Sequence, residues 1–274
     1  MISGISTIYL STELIYPDLP RFAIKKDQIR ELYGKLHEPG GYPYENLDLQ
    51  AGIPTLSTRR DNGQSSCQIG SGRIRITEDK PATAGITVDD FVSTVRTILE
   101  QLGPIAGPIV SQRCVVRCTG QPNNQSDSLF LLANGVANVL EPIDPFGRPP
   151  SFFGVRFRFA PMQIDPDEDA ESKEGSASGE KKDIDDAKAA EPPKAKKKNK
   201  KKPVIHRGFI NLRFETYNED IKKVWMEADA SYFEDIIEVG SLGPVEQNIR
   251  ETSSFVTKNA KEFLDQFDTK EKEK

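Results

Sequence analysis

The chain has 274 residues, of which 36% are hydrophobic and 29% charged, and its formal net charge is −5. An acidic balance exerts no bulk attraction on nucleic acid or anionic membrane, so binding of either kind would need a local basic patch. No apolar run approaches the roughly 18 residues of a membrane-spanning helix, and no basic n-region opens the chain as in a signal peptide. Cys67, Cys114 and Cys118 are too few, and odd in number, for a disulfide framework, so a reduced, cytoplasmic setting is the expectation.

In chain order, the first predicted element is a strand over Gly4–Tyr16, rich in Ile, Thr, Tyr and Leu and closed by Pro17. Ile29, Leu32, Tyr33 and Leu36 then recur at helical spacing, which predicts a helix over Asp27–His37 ended by Pro39-Gly40-Gly41. Tyr42–Arg60 reads as irregular or weakly extended, with Ile53-Pro54 forcing extended backbone. Asp61-Asn62-Gly63 and Gly70-Ser71-Gly72 are turn signals around strands at Ser65–Ile69 and Arg73–Thr77. Thr87 and Asp90 have capping-box spacing at the head of a stripe of Val88, Phe91, Val92, Val95, Ile98, Leu99 and Leu102, a helix that Gly103-Pro104 should stop.

Ile109–Thr119 is the next predicted strand, and on it Cys114 and Cys118 share one face about 13 Å apart, beyond disulfide reach. Ser128–Gly135 suggests a short helix. Phe152–Pro161 and Val204–Tyr217 both alternate apolar with polar side chains and should pair antiparallel. Ile221–Tyr232 continues the alternation, and Val245, Ile249, Val256, Phe263 and Phe267 mark a closing helix from near Pro244. The tail, 269–274, is charged and frayed.

Between the two mirrored strands, Asp165–Asp186 carries ten acidic side chains against three lysines, and Ala187–Lys202 carries eight lysines against Glu191. With Ile184 as its one large aliphatic residue and no aromatic, this stretch cannot bury enough apolar surface to offset its ordering entropy. Residues 165–202 are therefore expected to form a disordered, charge-segregated hairpin-loop insert, since a long loop costs little more to close than a short one. The expected architecture is an α+β fold, mostly antiparallel sheet with three main helices, as a single domain over 1–164 and 203–268. A division into two lobes near 105–120 is the alternative.

Two stretches carry a resemblance: Phe209-Ile-Asn-Leu-Arg-Phe-Glu-Thr-Tyr217, and the closing helix with Phe255-Val256 and Phe263-Leu264-Asp265-Gln266-Phe267. Together with the order of the earlier elements through Arg113–Arg117, they resemble a sporadically distributed bacterial family of similar length that has no established activity. The resemblance implies an α+β fold and no site residue, and the lysine-rich insert departs from the family's usual pattern.

The sequence offers little chemistry. His37 and His206 are far apart and form no H-x-x-x-H or H-E-x-x-H spacing, and the cysteines form no C-x-x-C, so neither a metal site nor a cofactor is expected. Asp89-Asp90 is the nearest carboxylate pair and is accounted for by the helix cap, while Glu215, Glu219 and Asp220 read as a polar turn. There is no phosphate-binding G-x-x-x-x-G-K-[ST] and no G-x-S-x-G elbow, so no catalytic residue is assigned.

One constellation stands out. Arg73, Arg75, Arg113, Arg117, Arg156, Arg158 and Arg213 each occupy the strand face opposite the apolar residues. If the strands share a sheet, their guanidinium forks could meet phosphates or carboxylates bidentately. The plainer alternative is a solvated face neutralised by Glu215, Glu227 and Asp229. A second basic element is the arm Lys194, Lys196, Lys197, Lys198, Lys200, Lys201 and Lys202, for which the preceding acidic block competes. The leading expectation is a non-catalytic interaction protein whose partner is another protein, with no membrane role. The alternatives are an anion or nucleic-acid binder using the arginine face and lysine arm, and an enzyme with dispersed carboxylates.

Overall fold

A computed structural model of the chain describes residues 1–18, 24–38, 44–50, 52–60, 63–138, 150–164, 204–206, 208–233, 236–238 and 241–269. The expected disordered insert and its lysine arm lie outside the described residues, as does the end of the tail. Two compact units divide the chain, Met1–Ala160 with Gly208–Lys274, and Pro161–Arg207.

The first unit is α+β, built on a nine-stranded antiparallel sheet. Its strands are β1 (Ile2–Ile15), β2 (Asn46–Asp48), β3 (Thr55–Arg60), β4 (Gly63–Gly70), β5 (Arg73–Asp79), β6 (Ser111–Pro122), β7 (Gly154–Phe159), β10 (Phe209–Thr216) and β11 (Val224–Tyr232). In the second unit, β8 (Met162–Ile164) pairs antiparallel with β9 (Val204–His206). The described helices of the first unit are α1 (Lys26–Leu36), α2 (Val88–Ala106), the single turn α3 (Ser128–Phe130), α4 (Gly243–Ser254) and α5 (Lys261–Asp265). A π-helical segment, Leu131–Val136, continues α3, and another, Phe255–Ala260, joins α4 to α5.

Strand order across the sheet is β2-β3-β4-β5-β1-β6-β11-β10-β7. The long central pair is β1 with β6, in register from Tyr9 opposite Arg117 to Ile15 opposite Ser111. On either side of that pair the chain follows the same path. The first half runs strand, helix, a β3–β4–β5 meander and a helix. The second runs β6, α3, then β7, β10 and β11 side by side, and α4. The sheet is therefore a twofold repeat joined along β1 and β6. No short sequence period betrays it, because the repeat length exceeds a hundred residues and only topology is shared.

Alternation decides which face is buried. Leu10, Thr12 and Leu14 of β1, Ile74 and Ile76 of β5, Cys114, Val116 and Cys118 of β6, and Val224, Met226, Ala228 and Ala230 of β11 all point to one side and are buried. The helices cover that side: α1 packs on α2, α2 on α4, and α4 on β6 and β11. At the β7 end the cover is aromatic, with Phe263 5.4 Å from Phe157 and 5.7 Å from Phe214 between ring centroids. The three cysteines are free and buried, and burial pushes the Cys67 thiol up to about 12.

Three predictions change in detail. Tyr42–Arg60, read as irregular, contains β2 and β3, with Leu56 opposite Cys67. Among its described side chains β3 buries Leu56 and Thr58, too few positions for a visible alternation. The α2 helix runs past Gly103-Pro104 and ends at Gly107, where φ is 72°. A proline near a helix end forfeits one backbone bond with only a short stretch of helix left to lose. Val204–Tyr217, read as one strand, is two, and Gly208 at the break faces the Tyr232 ring, which a Cβ would meet at 2.7 Å.

Candidate functional site: the open face of the sheet

Residues of the opposite parity make up the face that none of the described helices covers. Its lateral rows follow from the register. One row reads Asp79, Tyr9, Arg117, Glu227, Arg213, Arg156 from β5 to β7. A second reads Thr77, Ser11, Val115, Asp229, Asn211, Arg158, and a third Arg75, Glu13, Arg113, Ser231, Phe209. Arg73 follows at the end, opposite Ile15. All seven arginines singled out in the sequence thus stand on one face.

They are not equivalent. Arg113 makes a two-pronged bond to Asp229, Nε to Oδ1 at 2.8 Å and Nη2 to Oδ2 at 2.7 Å, and that bond raises its pKa. Arg117 Nε donates to Glu227 Oε2 at 2.6 Å, with its guanidinium 4.4 Å from the Tyr9 ring centroid. Arg213 donates to Glu215 at 2.5 Å and to Glu227 at 3.3 Å, and its pKa is likewise raised, chiefly by Glu215. Trp225 lies beneath both Arg117 and Arg213. Glu215, Glu227 and Asp229, the counter-charges anticipated for a solvated face, do neutralise these three arginines.

The other four have no carboxylate partner among the described residues. Arg75 donates to Tyr9 Oη at 2.9 Å and to Ser11 Oγ at 3.4 Å, both neutral. Arg158 lies over the Phe209 ring. Among the described residues no carboxylate stands within ion-pair distance of Arg73, Arg75, Arg156 or Arg158. Between the paired and unpaired groups the face dips into a concavity of about 240 Å³, lined by Tyr9, Ser11, Glu13 and Val115 with Arg75, Arg113, Arg117 and Arg213 around them.

Sequence reasoning missed part of this surface. Arg59 is an eighth outward arginine, lost because β3 was not recognised. Tyr9, Trp225 and Phe209, which lie under guanidinium groups, were recoverable from strand parity alone. The remaining sequence candidates do not come together. His37 Nδ1 donates to the Tyr33 carbonyl at the end of α1, and His206 belongs to the second unit. Thr87 donates to the Asp90 carboxylate, while Asp89 pairs with Arg250. Tyr217 Oη donates to Glu219 at 2.6 Å, and Asp220 pairs with Lys223. Among the described residues there is no His/Cys/Asp/Glu group that could hold a metal ion, and no helix is long and apolar enough to cross a membrane.

No family model matches the chain, and no curated protein matches it.

Proposed function

We propose that the protein is a non-catalytic binding module that takes an acidic partner protein on the open face of its sheet. The observation that carries this reading is the set of arginines on that face without a carboxylate partner among the described residues, Arg73 and Arg75 to one side and Arg156 and Arg158 to the other. Guanidinium forks of this kind accept carboxylates in two-pronged geometry and are held ready by the neighbouring strands. Nucleic acid suits the face less well. Glu227 and Asp229 lie at its centre, where a phosphate backbone crossing from one arginine group to the other would meet them. Acid–base catalysis fares worse still, because both of those carboxylates are tied to guanidinium groups.

The test is titration of the full chain with a labelled oligoglutamate peptide, followed by fluorescence anisotropy across a salt series. Binding should be strongest at the lowest salt of the series, about 50 mM, and weaken as added salt screens the charges. Replacing Arg156 and Arg158 together by Gln should weaken it about tenfold, a change of about 1.4 kcal/mol, with no shift in Tm. Undiminished binding by the double variant, or none by the parent at low salt, would overturn the reading.

A further inference from the structure

The concavity over the β1–β6 seam has a chemistry of its own, and its shape follows from side-chain length. Ser11 and Val115 are short and form a middle row, with Tyr9 and Arg117 one row before them and Arg75, Glu13 and Arg113 one row after. Successive outward residues of a strand stand about 7 Å apart, so the longer side chains wall the dip without filling it. Its volume of about 240 Å³ lies below the range of about 300 to 1,000 Å³ that drug-sized ligands occupy, and its lining is mostly polar. What it fits is small and polar.

One carboxylate of this lining, Glu13, stands between two arginines. Arg75 on β5 and Arg113 on β6 are its register partners, and both lean away from it in the same direction. Arg75 reaches back to Ser11 and Tyr9, and Arg113 to Asp229, the register partner of Val115 in the middle row. Glu13, partly buried, is left with no hydrogen bond or ion pair among the described residues. Arg75 is equally unneutralised, because both of its acceptors are hydroxyls. Tyr9 accepts from Arg75 through Oη, and its own hydroxyl hydrogen has no acceptor among the described residues. The Arg117 guanidinium, 4.4 Å from the ring centroid, holds that ring in place. These charges select against a singly charged guest. A lone carboxylate at Arg75 meets the field of Glu13, and a lone amine at Glu13 meets that of Arg75.

We propose that the concavity is a binding site for a small zwitterion, an aliphatic amino acid whose short carbon spacer separates an ammonium from a carboxylate. The ammonium pairs with Glu13, the carboxylate accepts from Arg75 and the Tyr9 hydroxyl, and the spacer lies over Val115. The remaining lining charges are already matched, Arg113 with Asp229, and Arg117 and Arg213 with Glu227. The ligand therefore neutralises the one pair of opposite charges that the protein leaves open. The proposal does not rest on the acidic-partner reading above, although the two share Arg75.

Heteronuclear NMR of the isotope-labelled full chain tests it, with β-alanine, γ-aminobutyrate and δ-aminovalerate as probes and butyrate and butylamine as singly charged controls. At least one of the three zwitterions should shift the Ser11 and Val115 amides saturably, with an affinity about tenfold above that of either control. Glu13→Gln should reduce that affinity to the level of butyrate while leaving oligoglutamate binding undiminished. Arg75→Gln should reduce it to the level of butylamine. Should Arg75→Gln lower Tm, Tyr9→Phe supplies the second variant, and loss of its hydroxyl alone should weaken the zwitterion about threefold. Butyrate binding as tightly as the zwitterions overturns the proposal, since the concavity would then be a plain anion site. So does a titration in which none of the three gives a saturable shift, or an affinity that Glu13→Gln leaves intact. An alternating glutamate–lysine peptide that shifts those amides when no free amino acid does overturns it as well, with a segment of the partner as the occupant. The acidic-partner reading is decided separately, by the double variant at Arg156 and Arg158.

Discussion

Asp268 ties together parts of the chain that are far apart in sequence. Its buried carboxylate accepts from the backbone N–H groups of Asn123 and Asn124, each at 2.9 Å, and from the Met1 amino group at 2.5 Å. Burial by itself would push this carboxyl up, but the bonds outweigh it and hold the pKa below the ordinary carboxylate value. A folded-state pKa below the unfolded one means stabilisation that is complete above the unfolded value and lost as pH falls through the folded one. Asp268→Asn should therefore cost about 1 to 3 kcal/mol near neutral pH, and the gap to the parent should close toward about pH 3. Urea unfolding at both pH values measures it, and a gap independent of pH would refute the assignment. Other buried polar groups were not legible in the sequence. Gln112 shares the inward parity of Cys114, Val116 and Cys118, but a lone polar residue there does not show what its amide meets: it is buried, donating to Thr12 at 3.0 Å and to the Val245 carbonyl at 3.1 Å and accepting from Asn248 at 2.9 Å. Two of those partners sit on α4, and nothing local in the strand announces a helix docked above it.

At the scale of elements, legibility followed the strength of the periodic signal. The α2 stripe and the alternation of β5, β6, β7, β10 and β11 were readable because each repeats its pattern through several residues. β2 and β3 were not, being short and beside Ile53-Pro54. Turn chemistry was more dependable than strand length. Gly63, flagged as part of a turn, opens β4 with φ of 140°, and a Cβ there would lie 2.1 Å from the Asp79 carbonyl oxygen. Gly63→Ala is expected to destabilise the fold by about 2 to 3 kcal/mol, through both the backbone conformation and the clash. Thermal unfolding checks it, with Gly34→Ala as control, because a Cβ on that helical glycine meets nothing within 4 Å. Equal Tm values for the two variants would mean that the β4–β5 pairing yields freely at this point.

At the largest scale, the first unit is held along the β1–β6 seam. Thr12 faces Cys114 and Leu10 faces Val116 across it, so each half buries its central strand only by pairing with the other. Separately produced fragments 1–107 and 108–274 should each lack cooperative unfolding and regain it on mixing, as read by circular dichroism; a cooperative transition in either fragment alone would show that a half carries its own core. The concavity on the open face shares this dependence, since Tyr9, Glu13 and Arg75 come from one half and Arg113, Arg117 and Arg213 from the other. The sheet's two ends have a different consequence. An open sheet offers unpaired backbone groups on its outermost strands, among the described residues β2 and β7, which are templates for runaway addition of further copies. β2 is too short to serve. On β7, a second copy arriving antiparallel would set its own Arg156 and Arg158 beside their counterparts, next to an Arg213 that already lies opposite Arg156. Like charges opposed across strands disfavour such pairing. The arginines that would greet an acidic guest thus also keep the sheet finite, and a polyanion that neutralised them without occupying the edge would remove that guard.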